Sequence, residues 1–149
     1  MYLSSLKVTC GKKRVVIELM KEMPETCGLA VFKKSTGSAE LTLYKLNAGK
    51  REYFVAVYSE NGTSMVAGIS DSADEARLYA MGRVLSLKLN ELKSVKRNLG
   101  EDASVVELGM VAEIEEIIDL FYEAGRAASA PAIDIRTQSS TEIPDIPDL

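Results

Sequence analysis

Aromatic side chains alternate with other residues in the first half of the chain, close to basic residues. Four of the nine aromatic residues and four nearby cations form this set: Phe32, Tyr44, Phe54 and Tyr58, with Lys34, Lys45, Lys50 and Arg51. Aromatic rings stack on unpaired bases at about 1–3 kcal/mol per base, and lysine and arginine contact phosphates. The set therefore predicts binding of single-stranded nucleic acid, DNA in the first place, with little sequence specificity.

The residues needed for common catalytic chemistry are missing from the sequence. The chain has no histidine, and Gly11-Lys12 and Gly49-Lys50 lack the upstream glycine of a phosphate-binding loop. Two cysteines without a histidine base do not make a thiol enzyme. We therefore expect no catalytic residues, no enzyme activity, no cofactor and no metal site. A magnesium site built from carboxylates is the alternative.

Charge is distributed very unevenly along the 149 residues, whose formal net charge is −4. Residues 1–70 hold ten basic and six acidic residues, and residues 71–100 hold six and four. Residues 101–149 hold two basic and twelve acidic residues. A basic body with an acidic end is typical of nucleic-acid-binding or interaction proteins.

The N-terminal sequence and the two cysteines bear on the cellular compartment. Residues 1–7 lack a basic start followed by a long apolar stretch, and no apolar run approaches the roughly 20 residues of a membrane span. We expect a cytoplasmic protein that does not contact membranes. Cys10 and Cys27 are expected to be reduced thiols, with a single disulfide between them as the alternative.

Period-two alternation over the first 70 residues predicts a β-meander. The candidate strands are Leu6–Cys10, Arg14–Met20, Gly28–Lys34, Glu40–Leu46, Arg51–Ser59 and Ser64–Ile69. Asn61-Gly62 predicts a tight hairpin, and Asn47–Lys50 predicts a four-residue loop. We expect the mostly aliphatic, odd-numbered side chains to face a long helix. The aromatic side chains would then occupy the other face, which is either open or covered.

The apolar period lengthens after Ser70 and predicts two helices. Ser72 and Glu75 fit a capping box at the start of the first helix, and Gly100 fits a C-cap after Leu99. Ser104 and Glu107 fit a second capping box, although Val105–Leu108 also suits a strand. The second helix should end near Gly125. Its apolar stripe predicts a homodimer through a short coiled coil formed by Met110, Ile114, Ile117 and Phe121.

These elements predict an α+β domain over residues 1–126, with the sheet in 1–70 and the helices in 71–126. The sheet has five to six antiparallel strands backed by the long helix. Residues 127–149 read as a flexible acidic tail containing Pro, Ser and Thr. The last residues, Ile143–Leu149, resemble the C-terminal tip of bacterial single-stranded DNA-binding proteins, which implies that the tail docks a protein partner.

The layout as a whole resembles the Thermoproteales single-stranded DNA-binding proteins, the ThermoDBP group. The corresponding parts are a sheet at Gly28–Ile69, a backing helix at Ser72–Leu99, a zipper-like helix at Val106–Gly125 and a tail at Ala127–Leu149. The resemblance implies single-stranded DNA binding and a dimer. The alternative is a protein-interaction or inhibitory module, possibly viral, that acts through its acidic helix and tail.

Overall fold

The computed structural model describes residues 1–24, 28–100 and 103–129. Within them the chain forms six strands followed by two long helices, which confirms the predicted α+β class. The elements are β1 Ser5–Cys10, β2 Lys13–Glu18, β3 Leu29–Thr36, β4 Ala39–Ala48, β5 Arg51–Glu60, β6 Thr63–Ser70, α1 Ala73–Leu99 and α2 Ala103–Ser129.

The strands form two antiparallel sheets rather than one. Strands β3 to β6 make a four-stranded meander in sequence order, and β1 and β2 make a separate hairpin. The turn between β5 and β6 is the predicted one, because Asn61 and Gly62 both have positive φ values, 52° and 83°. The predicted four-residue loop is shorter than expected, since Ala48 pairs directly with Arg51 and only two residues lie between them.

The β1–β2 hairpin covers one face of the four-stranded sheet. Leu6, Val8 and Ile17 are buried and belong to one cluster with Leu46, Val55, Val57, Val66 and Ile69 of the sheet. The residues that flank the hairpin also bind the edge of β6: Met20 N donates to Val66 O, and Val66 N donates to Lys21 O, both at 2.8 Å. This edge of the sheet is therefore paired by the chain itself.

Both helices cover the opposite face of the sheet. Ala76, Ala80 and Val84 of α1 and Ile117, Leu120, Phe121 and Ala124 of α2 form a second core cluster with sheet residues. The approach of α1 is very close at Gly68, where a Cβ atom would lie 2.2 Å from the carbonyl oxygen of Ala76. Glycine at this position lets the helix backbone rest directly on β6.

The two helices run antiparallel to each other. The Arg77 guanidinium donates to the carbonyl oxygen of Phe121 at 3.3 Å, and the Lys96 ammonium lies 3.9 Å from a Glu107 carboxylate oxygen. At about 1.5 Å per residue, 27 residues extend about 40 Å, which is longer than a ten-residue strand. After Lys88, no residue of α1 is buried. The far ends of the helix pair therefore extend past the sheet.

Helix boundaries agree with the prediction for α1 and differ for α2. Ser72 caps α1 by accepting from Glu75 N, and Gly100 follows it with a φ of 57°. Helix α2 begins at Ala103, so Ser104 lies inside the helix rather than at its N-cap, and Val105–Leu108 is helical. It also runs past Gly125, where a Cβ atom would lie 2.7 Å from the Arg77 guanidinium carbon. Gly125 is a packing glycine rather than a stop signal.

The expectations for the two cysteines and for the tail fall partly outside the described residues. Cys10 is disulfide-bonded, so the expectation of a reduced thiol is wrong at this position. Cys27 and residues 130–149 of the predicted tail lie outside the described part of the chain. The expected boundary at residue 126 is placed within α2, which continues to Ser129.

Candidate nucleic-acid interface

The four aromatic residues expected to stack on bases do not share one open face. Register explains why: Leu41 pairs with Tyr58 and Leu43 pairs with Ala56, so odd positions of β4 lie beside even positions of β5. Phe32, Phe54 and Tyr58 therefore pack under the helices, whereas Tyr44 packs under the β1–β2 hairpin. The expectation that the aliphatic set alone faces the long helix is wrong, and both faces of the sheet are covered.

Tyr58 is the most deeply buried of these aromatic residues, with only 5% of its surface exposed. Its hydroxyl donates to a Glu60 carboxylate oxygen at 2.7 Å. Burial raises the pKa of the Tyr58 phenol, and the hydrogen bond to Glu60 raises it further. A phenol in this position is neutral and packed in the core, so its ring is not accessible for stacking on a base.

The four expected phosphate-binding cations divide into two pairs. Lys34 is ion-paired with Glu123 at 2.7 Å, and Lys45 with Glu52 at 3.1 Å. Lys50 and Arg51 are exposed at the β4–β5 turn, and neither forms an ion pair with any described residue. The structure therefore keeps two of the four cations available for an anion.

A second set of cations lies on the outer side and at the turn end of the β1–β2 hairpin. Alternation directs Leu6 and Val8 to the core and leaves Lys7 exposed between them. Lys13 and Arg14 are exposed at the start of β2, and Lys12 is exposed in the turn before it. Among the residues that the structure describes, none of these four cations has an acidic partner. We call Lys7, Lys12, Lys13 and Arg14 the basic hairpin face.

The shape of the basic hairpin face suits an extended anionic ligand. Thr9 pairs with Arg14, and Lys7 pairs with Val16, so these side chains stand side by side on the two strands. They border a shallow depression of about 440 Å³. Glu18 is the single acidic residue of the two strands, and Lys21 lies 3.6 Å from it. The negative charge within these two strands is thus partly neutralised.

Acidic residues concentrate on the other outer layer of the molecule. Helix α2 carries six acidic residues and one arginine, whereas residues 5–21 carry five basic residues and one glutamate. The sheet separates the two layers, so they lie about 20 Å apart if each layer is about 10 Å thick. The Debye length is about 10 Å at 0.1 M salt. The acidic helix is therefore largely screened from the basic hairpin face.

A concavity between the end of β3 and α2 does not suit a phosphate. It has a volume of about 610 Å³. Glu116, Asp119 and Glu123 line it, against Lys34 and Arg126. Its acidic side would repel an anion, and Lys34 is already paired with Glu123.

Sequence reasoning missed a buried cation at the junction of sheet and helices. The side chain of Lys88 is only 4% exposed and contacts three carboxylates: Glu60 directly, Glu113 at 3.3 Å and Glu91 at 3.5 Å. Burial alone would lower the pKa of Lys88, but the hydrogen bond to Glu60 and the nearby carboxylates outweigh it and raise the pKa. Lys88 interrupts the apolar spacing of α1, and this interruption was the available signal.

The residues expected to form a dimer are largely used inside the chain. Ile117 and Phe121 are fully buried against the sheet, so their assignment to a dimer seam is wrong in this fold. Met110 and Ile114 are half-buried, and they lie on α2 before these two residues. A coiled coil through this stripe would require the core to open.

The described residues also bear on membrane and metal binding. No helix there is both long enough and apolar enough to cross a lipid bilayer. Within the same ranges, no three histidine, cysteine, aspartate or glutamate side chains come together as metal ligands. Comparisons with protein-family models, with curated proteins and with solved structures found no match for this chain.

Proposed function

We propose that this protein binds nucleic acid with little sequence specificity, through phosphate contacts made by the basic hairpin face. The observation that carries the proposal is a set of four exposed cations, none of which has an acidic partner among the described residues. Contacts to phosphates carry no sequence information, so the lack of a recognition motif agrees with this function.

The proposed contact differs from the stacking expected from the sequence. Phe32, Phe54 and Tyr58 belong to one core cluster and Tyr44 to the other, so base stacking by these residues is not part of the proposal. Single-stranded nucleic acid stays the proposed ligand because a flexible strand can follow a hairpin only about 20 Å long. A two-stranded ribbon also suits the major groove of a duplex, so duplex DNA is the competitor to measure.

The proposal assigns a binding role rather than catalysis, and it keeps the cytoplasm as the proposed compartment. The disulfide of Cys10 is more typical of oxidising compartments, so a cytoplasmic location predicts that this bond is reduced in the cell.

The salt dependence of binding tests the proposal quantitatively. Four phosphate contacts to a single strand give a slope of log K against log salt of about −2.8. Raising salt fourfold should then weaken binding about fifty-fold. The measurement is fluorescence anisotropy of a labelled single-stranded oligonucleotide, repeated with the matching duplex. Binding that ignores salt, or no binding at micromolar protein, would overturn the proposal.

A pair of charge-neutralising variants locates the contact. Lys12→Gln with Lys13→Gln should halve the slope, to about −1.4, so that the same salt change weakens binding only about sevenfold. The matched control is Lys93→Gln with Arg97→Gln, which removes two exposed cations from the far end of α1. Lys50→Gln with Arg51→Gln tests the cations expected from the sequence. An unchanged slope for the first pair contradicts the assignment.

A second candidate function is a protein-interaction module that acts through the acidic helix α2. The observation that favours it is the exposure of apolar residues at the start of this helix, with Val105 at 81% and Leu108 at 73%. Pull-down with the wild-type chain and with Val105→Ser, Leu108→Ser tests it. Retention of partners only by the wild type, without nucleic acid, favours this candidate.

A further inference from the structure

The two edges of the four-stranded sheet differ in how they are covered. The edge at β6 is paired by the chain itself, because Leu3, Met20 and Lys21 bond to its backbone. Strand β3 forms the other edge, where six of eight residues are exposed and none is buried. Among the residues that the structure describes, no backbone group outside β4 bonds to β3. An unpaired strand edge is a template for a further strand.

Alternate residues of β3 direct their backbone groups away from the sheet. Thr36 and Ala39 flank a turn of two residues and form a hydrogen-bonded pair. Hydrogen-bonded pairs alternate with other pairs along an antiparallel ladder. Lys33 and Ser35 therefore direct their N–H and C=O groups outward. A bulge earlier in the strand limits the regular edge to residues 32–36.

A groove lined by acidic side chains runs beside this edge. It is the concavity of about 610 Å³ between the end of β3 and α2, and we call it the acidic groove. Glu123 bonds to Lys34, and Glu116 borders a second cavity with Thr36, so α2 runs antiparallel to β3. Glu116 and Asp119 are exposed, and neither forms an ion pair with a described residue. Two uncompensated carboxylates therefore lie level with the end of β3.

A strand added at β3 would place alternate side chains on the side of the acidic groove. Even-numbered residues of β3 face that side, since Phe32 packs in the core cluster under the helices and Lys34 reaches α2. The added residue opposite Thr36 would lie level with Glu116 and Asp119, which favour lysine or arginine there. The added residue opposite Lys34 should be uncharged or acidic, because like charges directly opposite each other are destabilising.

Charge selects among the occupants of this edge. A second copy paired through its own β3 would bring two α2 helices together and place four uncompensated carboxylates in one groove, which is unfavourable. Residues 130–149 of this chain hold four acidic residues and one arginine, so their net charge has the wrong sign. A segment of another protein with one basic side chain among uncharged ones meets neither obstacle.

We propose that the edge of β3 binds an extended segment of a partner protein as a fifth strand, with one basic side chain of that segment facing Glu116 and Asp119. Main-chain hydrogen bonds with Lys33 and Ser35 supply affinity, and the acidic groove selects the basic side chain. The basic hairpin face takes no part in this contact. Failure of either proposal therefore leaves the other standing.

The first test uses a short synthetic probe with a fluorescent label and blocked termini. Its sequence is Thr-Val-Thr-Arg-Thr-Val-Thr, so an uncharged residue lies two positions from the arginine in either strand direction. Fluorescence anisotropy with the full chain should show binding, and glutamate in place of the arginine should weaken binding at least about tenfold. Equal binding of the two probes would overturn the proposal. Absence of binding at about 1 mM protein would also overturn it, whether a second copy or residues 130–149 then occupy the edge.

The second test asks whether the backbone of β3 makes the contact. Ser35→Pro removes an outward N–H group, whereas Ser35→Ala keeps it and loses only the side-chain bond to Glu40 at 3.1 Å. The proline variant should bind the arginine probe at least about tenfold more weakly, and the alanine variant should stay within about twofold of the wild type. Circular dichroism checks that both variants fold. Wild-type affinity in the proline variant would contradict pairing at β3.

The third test addresses the acidic groove and leaves β3 unchanged. Glu116→Gln with Asp119→Gln should remove the preference for the arginine probe over the glutamate probe. The matched control is Glu22→Gln with Glu115→Gln, which removes two exposed carboxylates elsewhere and should keep the preference. A preference that survives in the first pair, or that disappears in the control pair, would overturn the assignment of the groove.

Discussion

Replacing Lys88 by methionine would leave three carboxylates around a site that has lost its cation. Methionine fills a similar volume, so the main effect is electrostatic. Glu60 keeps only the hydrogen bond from Tyr58, and its side chain is just 25% exposed. Breaking a fully buried ion pair by removing one partner costs about 3–5 kcal/mol. Because Glu60, Glu91 and Glu113 retain some contact with water, we expect about 2–3 kcal/mol here.

Urea unfolding followed by circular dichroism measures this loss of stability. In a chain of this size, a loss of about 2–3 kcal/mol lowers Tm by about 5–10 °C. Lys93→Met is the matched control, because Lys93 is exposed on the same helix and should change stability by less than about 0.5 kcal/mol. Adding Glu60→Gln to Lys88→Met should recover part of the loss, since it removes one unpaired charge.

The pH dependence provides a separate check on the same contact. Burial raises the pKa of Glu60, but hydrogen bonds from Lys88 and Tyr58 outweigh burial and lower the pKa below its ordinary value of 4.5. A lowered pKa in the folded state stabilises the fold above that ordinary value, and the gain is lost as pH falls through the folded-state pKa. Lys88→Met should make the free energy of unfolding depend less on pH in this acidic range. If both the stability and its pH dependence were unchanged, the assignment of Lys88 as a cation that stabilises the junction of sheet and helices would be refuted.

Three further substitutions and one chemical treatment test other parts of the fold. Gly68→Ala should lower the free energy of unfolding, measured in urea, by at least about 2 kcal/mol, because its Cβ would meet the Ala76 carbonyl. Gly82→Ala is the contrasting substitution: the space around Gly82 is open, so alanine should stabilise α1 by about 0.5–1 kcal/mol. Gly62→Ala should cost about 1 kcal/mol in the same assay, since φ is 83° there, and no loss would contradict the turn geometry. In the purified, air-oxidised protein, alkylation followed by mass spectrometry should label Cys10 only after reduction, and labelling without reductant would contradict its disulfide.

Local patterns predicted the elements well because their causes lie within a few residues. Alternation located the strands, and Asn61-Gly62 located a turn that needs positive φ at both positions. Ser72 located the start of α1 because its side chain satisfies a backbone amide of the first turn. Gly125 misled the prediction, because its function is to make room for Arg77 across the helix pair, and such a contact leaves no local signal.

The candidate site was less predictable because it depends on how strands align. The prediction that Phe54, Ala56 and Tyr58 share one face of β5 was correct. Only the register between β4 and β5 shows that this face also carries Leu41, which lies beside Tyr58. A bulge between Ala30 and Phe32 shifts parity again in β3. The sequence pattern also does not indicate which face of the sheet the β1–β2 hairpin will cover. Lys7 was missed for this reason, since its exposure follows from the docking of Leu6 and Val8.

The order in which the chain can fold follows from the docking of the β1–β2 hairpin. Its residues leave the ribosome before those of the sheet, and because Leu3 bonds to Ile69 and Met20 bonds to Val66, its partners are synthesised much later. Closing such long loops costs entropy before the contacts form. The β3–β6 meander has only short-range turns and is able to form first. Until the hairpin docks, Leu6, Val8 and Ile17 stay exposed to water, which leaves the nascent chain prone to aggregate during this interval.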